Sequence, residues 1–341
     1  MLSYSILCAF RLRNVARPIV FIHSLLLAGA ACGTGGADVQ VNQQFRVALL
    51  TPGPISDQSW NSAAYEGLQR IGDSLQATVR HVQTRTPAEF EENFRQYGAS
   101  GFSLVIGHGF EFQDAAQRVG PEYPKTVYAT TGGTGTGPNI AAMSFAFEEP
   151  SYLAGIAAAT VSKTKVLAVI GGTELPPVRA SFDAFSAGAK SVDPSITVLT
   201  AFIGNWDDAG AGKEQALAMI ARRADVIFQN ADAAGQGIFQ AVRETPGVWI
   251  VGSNSDQNGL APQSTLGSVV IDIPHAFLLL AREVRDSSFT PRVVRFATAS
   301  DVVRWVPNPA APALPTAAQA RIDSVRAAFA AGTGPALVVT P

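Results

Sequence analysis

The sequence predicts an α/β protein of two lobes, each a largely parallel sheet with helices on both faces. Three observations carry this. After residue 44, short apolar and β-branched runs alternate with segments of helical periodicity, the order that helix-covered parallel sheets require. The length of 341 residues suits two hydrophobic cores rather than one. Hydrophobic residues make up 47% and charged residues 15%, a balance that favours buried cores over disorder.

The N-terminus stands apart. Arg11, Arg13 and Arg17 precede an apolar run over 18–31, broken by His23 and Ser24. The run is short for a membrane span and ends in small residues, as a secretory signal does. Ala30-Ala31-Cys32, with leucines upstream, resembles a bacterial lipoprotein cleavage site, although Gly29 stands where leucine is usual. On this reading 1–31 is a lipoprotein signal peptide, Cys32 is the acylated first residue, and 32–44 is a flexible polar tether. The alternative is a plain secretory signal with an incidental cysteine. Cys8 and Cys32 are the two cysteines, so no disulfide framework or paired-cysteine metal site is expected.

Beyond the tether, strands are predicted at 45–50, 78–82, 104–106, 126–129 and 140–145, with helices at 60–75, 87–97 and 112–119. The first helix has Ala64, Leu68, Ile71 and Leu75 on one face, and Asp57 and Ser59 are residue types that cap a helix start. The rhythm repeats with strands at 166–170, 196–202, 226–228 and 249–251 and helices at 182–191, 212–222 and 236–243. Pro150 suits a first helical turn, which places a lobe boundary near residues 147–151. The chain is then expected to return to the first lobe through a strand at 266–271 and a helix at 276–285. A last passage over 294–306 and a helix at 317–331 would close the second lobe. The lobes are thus expected at 45–146 with 257–290, and at 147–256 with 291–341, joined by a multi-strand hinge.

Little in the sequence suggests catalysis. His23, His81, His108 and His275 lack metal-ligand spacing, and neither a Gly-x-Ser-x-Gly elbow nor a Walker lysine motif is present. The adjacent Glu148 and Glu149 suit a solvated hinge better than an acid–base pair. A net charge of −2, with no basic cluster after the N-terminus, argues against nucleic acid as a partner. No metal or cofactor is expected.

Binding reads better. Trp60, Asn61, His108, Phe110, Thr130, Trp206, Asp232 and Asn254 fall at or just beyond predicted strand ends, the edge where open α/β sheets bind ligands. Two tryptophans from opposite lobes could sandwich a flat ring, or each could serve lobe packing. His108 between two glycines reads equally as a ligand contact or as a loop residue satisfied by backbone.

Ser59-Trp60-Asn61 with Glu66-Gly67 resembles the Asp-x-Ser-Phe-Asn…Glu-Gly signature of the BMP family, the basic membrane lipoproteins. Further segments are similar to the family in order and spacing: Glu149-Pro150-Ser151 with Leu153-Ala154-Gly155, Phe182 to Gly188, Trp206-Asp207-Asp208 with Gly212-Lys213, Ala224 to Gln229, and Gly252 with Asp256-Gln257. The resemblance spans most of 45–341. It implies a type I periplasmic-binding-protein fold, two Rossmann-like lobes whose hinge closes on a ligand, and delivery of that ligand to a membrane ABC permease. The best-known members are purine-nucleoside receptors. Against those, Pro52 and Thr130 stand where aspartates are expected, Asn254 replaces a ribose-holding aspartate, and Ile271 replaces a lysine. The resemblance therefore implies membership more firmly than it implies a nucleoside. The alternative is a surface ligand-sensing or interaction lipoprotein without a transport role. An enzyme would have to draw on Asp57, Asp207 or Asp208.

Overall fold

A computed structural model describes residues 44–337. Cys32, the signal peptide and most of the tether lie outside the described residues. The first lobe opens with β1 (Arg46–Thr51), α1 (Trp60–Leu75), β2 (Thr78–Gln83), α2 (Pro87–Ala99), β3 (Leu104–Gly107), α3 (Gln113–Val119), β4 (Val127–Thr131) and β5 (Ile140–Phe145). Then come α4 (Glu148–Val161), β6 (Val166–Gly171), α5 (Pro176–Val192), β7 (Thr197–Phe202), α6 (Ala209–Ala221), β8 (Val226–Asn230), α7 (Gly235–Glu244) and β9 (Trp249–Asn254). The chain ends with β10 (Thr265–Ile271), α8 (Ile273–Arg285), β11 (Val293–Phe296), β12 (Val303–Pro307) and α9 (Thr316–Ala330).

Two six-stranded sheets result, in the orders β11-β5-β4-β3-β1-β2 and β12-β10-β9-β8-β6-β7. The first is parallel throughout, and the second is parallel except for β12 on β10. The central strands are buried on both faces, as a helix-covered parallel sheet requires. The chain passes between the sheets at β5–α4, at β10–α8 and at β11–β12. This is the two-lobed, three-crossing type I periplasmic-binding-protein architecture.

The sequence placed the strand at 266–271 in the first lobe. The structure corrects this: β10 pairs with β9 and β12 in the second sheet, and β11 then joins β5 in the first. An apolar run buried on both faces identifies a strand, but not the sheet that accepts it.

Local chemistry sets the elements. The Asp57 carboxylate accepts the N–H groups of Ser59, Asn61 and Ser62 at 3.0, 2.7 and 2.9 Å, satisfying donors that the first turn of α1 leaves free. Thr86 and Glu89 form a reciprocal capping box at α2, with Pro87 inside the first turn. In the second lobe α4 and α5 cross closely because a Cβ at Gly155 would meet the Phe185 carbonyl and one at Gly188 the Tyr152 carbonyl. Among the described residues, no helix is long and apolar enough to cross a membrane.

Candidate functional site: a cleft between the lobes

The strand ends of both sheets face one cavity. Its walls include Trp60, Phe110, Glu111 and Phe145 from the first lobe and Trp206, Asp232 and Asn254 from the second. It offers ≈ 110 Å³ to the centres of water molecules, about seven to eleven times what one water needs.

The aromatic walls are built from behind. Trp60 opens α1, and its indole stacks on the His108 ring at 4.0 Å between centroids and meets the Phe145 edge at 6.3 Å. On the other side Trp206 packs against Gly172, where a Cβ would run into the indole. Its carbonyl accepts the Ala234 N–H at 2.9 Å, fixing the β7–α6 loop.

The lobes touch through the loop that caps α1. Ser59 Oγ donates to the Ser253 carbonyl at 3.2 Å and accepts from Asn254 Nδ2 at 3.2 Å. Ser255 Oγ donates to the Ser59 carbonyl at 3.0 Å, Gln257 Nε2 to the Gln58 carbonyl at 3.0 Å, and Gln236 Nε2 to the Ser56 carbonyl at 3.3 Å. Behind this latch Gln229 Nε2 donates to Gln257 Oε1 at 2.7 Å, and Gln257 Oε1 also accepts the Ser253 N–H at 2.9 Å. The ends of β8 and β9 are thus tied by a buried amide network that holds its members in one arrangement.

Two acids face the cavity. Burial raises the Glu111 carboxyl to about 7, opposed by its own backbone N–H. Asp232 stands well above the usual carboxylate range, first through burial and then through the charges of Asp57 and Glu111; the Trp60 N–H pulls the other way. Arg295 also lines the cavity, but its guanidinium is engaged by Glu148 at 2.5 Å.

Of the residues singled out in the sequence, Trp60, Phe110, Trp206, Asp232 and Asn254 come together on the cavity wall, joined by Pro52 and Ile271. Three others stand behind it. His108 is fully buried, its Nε2 paired with the Trp60 carbonyl at 3.0 Å and its Nδ1 with Thr131 Oγ1 at 3.1 Å. A carbonyl only accepts, so Nε2 carries the proton and Nδ1 accepts from the threonine. Burial lowers its pKa to about 3, so it is a neutral backing for Trp60. Asn61 Nδ2 donates to Asp57 Oδ2 at 2.8 Å, making it part of the helix cap. Thr130 is fully buried, and its hydroxyl has no hydrogen-bond partner among the described residues.

Glu148 also differs from expectation. It does stand at a crossing, but it is buried rather than solvated, because Arg295 of β11 reaches it from the other lobe. Its neighbour Glu149 accepts the Thr298 N–H at 2.8 Å. Glu111 and Arg295 had no distinguishing signal in the sequence beyond Glu111's place next to Phe110. Of the carboxylates available for catalysis, Asp57 is occupied by amides and Asp208 accepts the Ala211 N–H at 2.9 Å as the cap of α6.

A family model described as ABC transporter substrate-binding protein PnrA-like, Bmp, matches residues 44–308. The chain belongs to the Bmp family. Among Bmp-related proteins, the ABC transporter nucleoside-binding protein BmpA of Lactococcus lactis subsp. cremoris is 31% identical over 264 residues, covering 72% of this chain and 75% of its own. Basic membrane protein A of Borreliella afzelii is 26% identical, covering 82% of this chain and 87% of its own. In fold the chain is similar to a solved ABC transporter solute-binding protein from Aeropyrum pernix K1, with a TM-score of 0.73 at 21% identity over 87% of this chain and 83% of that one. A substrate-binding role follows from membership of the Bmp family.

Proposed function

We propose that this chain is an extracytoplasmic lipoprotein, anchored through Cys32, that captures a small flat-ring ligand, nucleoside-like in shape, and presents it to an ABC permease. The observation that carries the reading is the cavity between the lobes, with Trp60 on one wall and Trp206 on the other. Stacking on such walls contributes ~0.5–1.5 kcal/mol per ring beyond area burial. Lobe closure would enclose the ligand, and the closed surface formed from both lobes would be what a permease recognises. The nucleoside-binding name of the Lactococcus lactis relative supports the ligand class. The signal-like N-terminus supports the location.

A thermal-shift screen of the purified protein against purine and pyrimidine nucleosides, free bases, sugars and amino acids tests the reading. A ligand at 100 times its Kd stabilises by about 2.7 kcal/mol, which raises Tm by roughly 2–4 °C for a protein of this size. A shift confined to nucleosides or bases is the expected result. A response to sugars or amino acids alone would overturn the ligand class.

A further inference from the structure

We propose that, among flat-ring ligands, the cleft selects those carrying a positively charged nitrogen, received between Glu111 of the first lobe and Asp232 of the second. This rests on the reading above for its aromatic walls and goes beyond it in assigning the charge.

The cavity wall holds Glu111, Asp232, Glu148 and Arg295 as its charged side chains. Glu148 and Arg295 neutralise each other at 2.5 Å. Glu111 and Asp232 therefore face the cavity from opposite lobes with no cation left on the wall, among the described residues, to pair with them. A ligand is what can supply the missing charge.

The backbone makes the same point independently. Asp232 has φ 48° and Asn254 φ 66°, at the ends of the adjacent strands β8 and β9. A non-glycine residue in the left-handed region is disfavoured, although Asp and Asn tolerate it best. Both line the cavity, and Asp232 keeps only 5% of its surface. Asn254 Nδ2 lies 3.4 Å from Asp232 Oδ1 and 3.3 Å from Asn230 Oδ1. Conformational strain of this kind gathers at ligand clamps.

Closure couples the charge to the motion. In this structure, where the lobes already touch, Asp232 is buried and stands within the fields of Glu111 across the cavity and of Asp57 in the α1 cap. Four N–H groups already compensate Asp57. His108, behind Trp60, is neutral and adds no positive charge. With the cleft empty, the remaining carboxyls must take up protons or hold the lobes apart. A cationic ligand replaces those protons and favours the closed form by its differential interaction with it.

The probes are adenosine and 1-methyladenosine, the same nucleoside without and with a positive charge on the ring at neutral pH, together with the non-nucleoside pair indole and tryptamine. Each is titrated calorimetrically into the purified protein at pH 7. The expected result is that 1-methyladenosine binds at least about tenfold tighter than adenosine, as a hydrogen bond to a charged group warrants. Glu111→Gln and Asp232→Asn should each reduce that ratio. In the wild-type protein the ratio should also fall between pH 7 and pH 5 as the carboxyls protonate, a readout that does not depend on any variant folding. Equal affinities, or preference for adenosine, would overturn the charge assignment and leave the nucleoside reading standing. Tryptamine bound while both nucleosides are ignored would uphold the charge and overturn the nucleoside. Heat from neither cation would overturn the inference itself.

Discussion

Asn254 Nδ2 donates to Ser59 Oγ across the cleft at 3.2 Å, and the same hydroxyl donates onward to the Ser253 carbonyl at 3.2 Å. One serine side chain therefore bonds the second lobe twice, from the loop that starts α1. Replacing it leaves each lobe's core intact but removes both bonds from the closed form. Ser59→Ala should weaken ligand binding by about 1–2 kcal/mol, roughly 5–30-fold. Calorimetric titration with adenosine measures this, and the urea midpoint of the free protein should fall as well, because both bonds are already made in the ligand-free structure.

Gly172 offers a second test, from behind the wall. A Cβ at this position overlaps the Trp206 indole, so Gly172→Ala should push the ring into the cavity. Overpacking of this kind costs about 1–3 kcal/mol. The expected outcome is ligand affinity reduced by about tenfold or more, with a shift in tryptophan emission before any ligand is added.

The hinge pair makes a stability prediction. Arg295→Ala leaves the Glu148 carboxylate, 6% exposed as a residue, without its guanidinium. A buried charged group deprived of its partner costs about 1–3 kcal/mol or more. Urea unfolding should show that loss, and adding Glu148→Gln should recover part of it by removing the stranded charge.

Legibility from sequence divides along physical lines. The limits of α1 were readable because its apolar face and Asp57 cap are local. Trp60, Trp206 and Asn254 were readable as cleft residues because strand-end position alone places them. His108 was not, since a Gly-His-Gly turn gives no sign that Trp60 will cover the imidazole. Asn61 was misplaced because its side chain turns back to Asp57 within the same helix start. Glu111 and the Glu148–Arg295 pair depend on contacts between segments distant in the chain. The placement of β10 fails for a related reason: its partner β9 is set by which lobe is already waiting, not by its own pattern.

Stability of the free protein should depend on pH through Glu111. Its folded pKa is raised to about 7 from an ordinary 4.5, chiefly by burial. The folded state therefore binds the proton more tightly than the unfolded chain does, and this contribution is full below about pH 4.5 and lost as pH rises through about 7. Asp232, also raised and facing Glu111 together with Asp57, acts in the same direction. Thermal melts between pH 5 and pH 8 should show stability falling with pH, and Glu111→Gln should flatten that slope.

On the proposed reading Trp60 and Trp206 are the two walls of a ligand site closed by the lobes. The most direct measurement is a calorimetric titration of adenosine into the wild-type protein and into a Trp60→Ala, Trp206→Ala double variant shown to be folded by its melt. Removal of two stacking contacts worth ~0.5–1.5 kcal/mol each should weaken binding by roughly 5–150-fold. An unchanged affinity in the double variant would place the nucleoside elsewhere on the molecule and contradict the account.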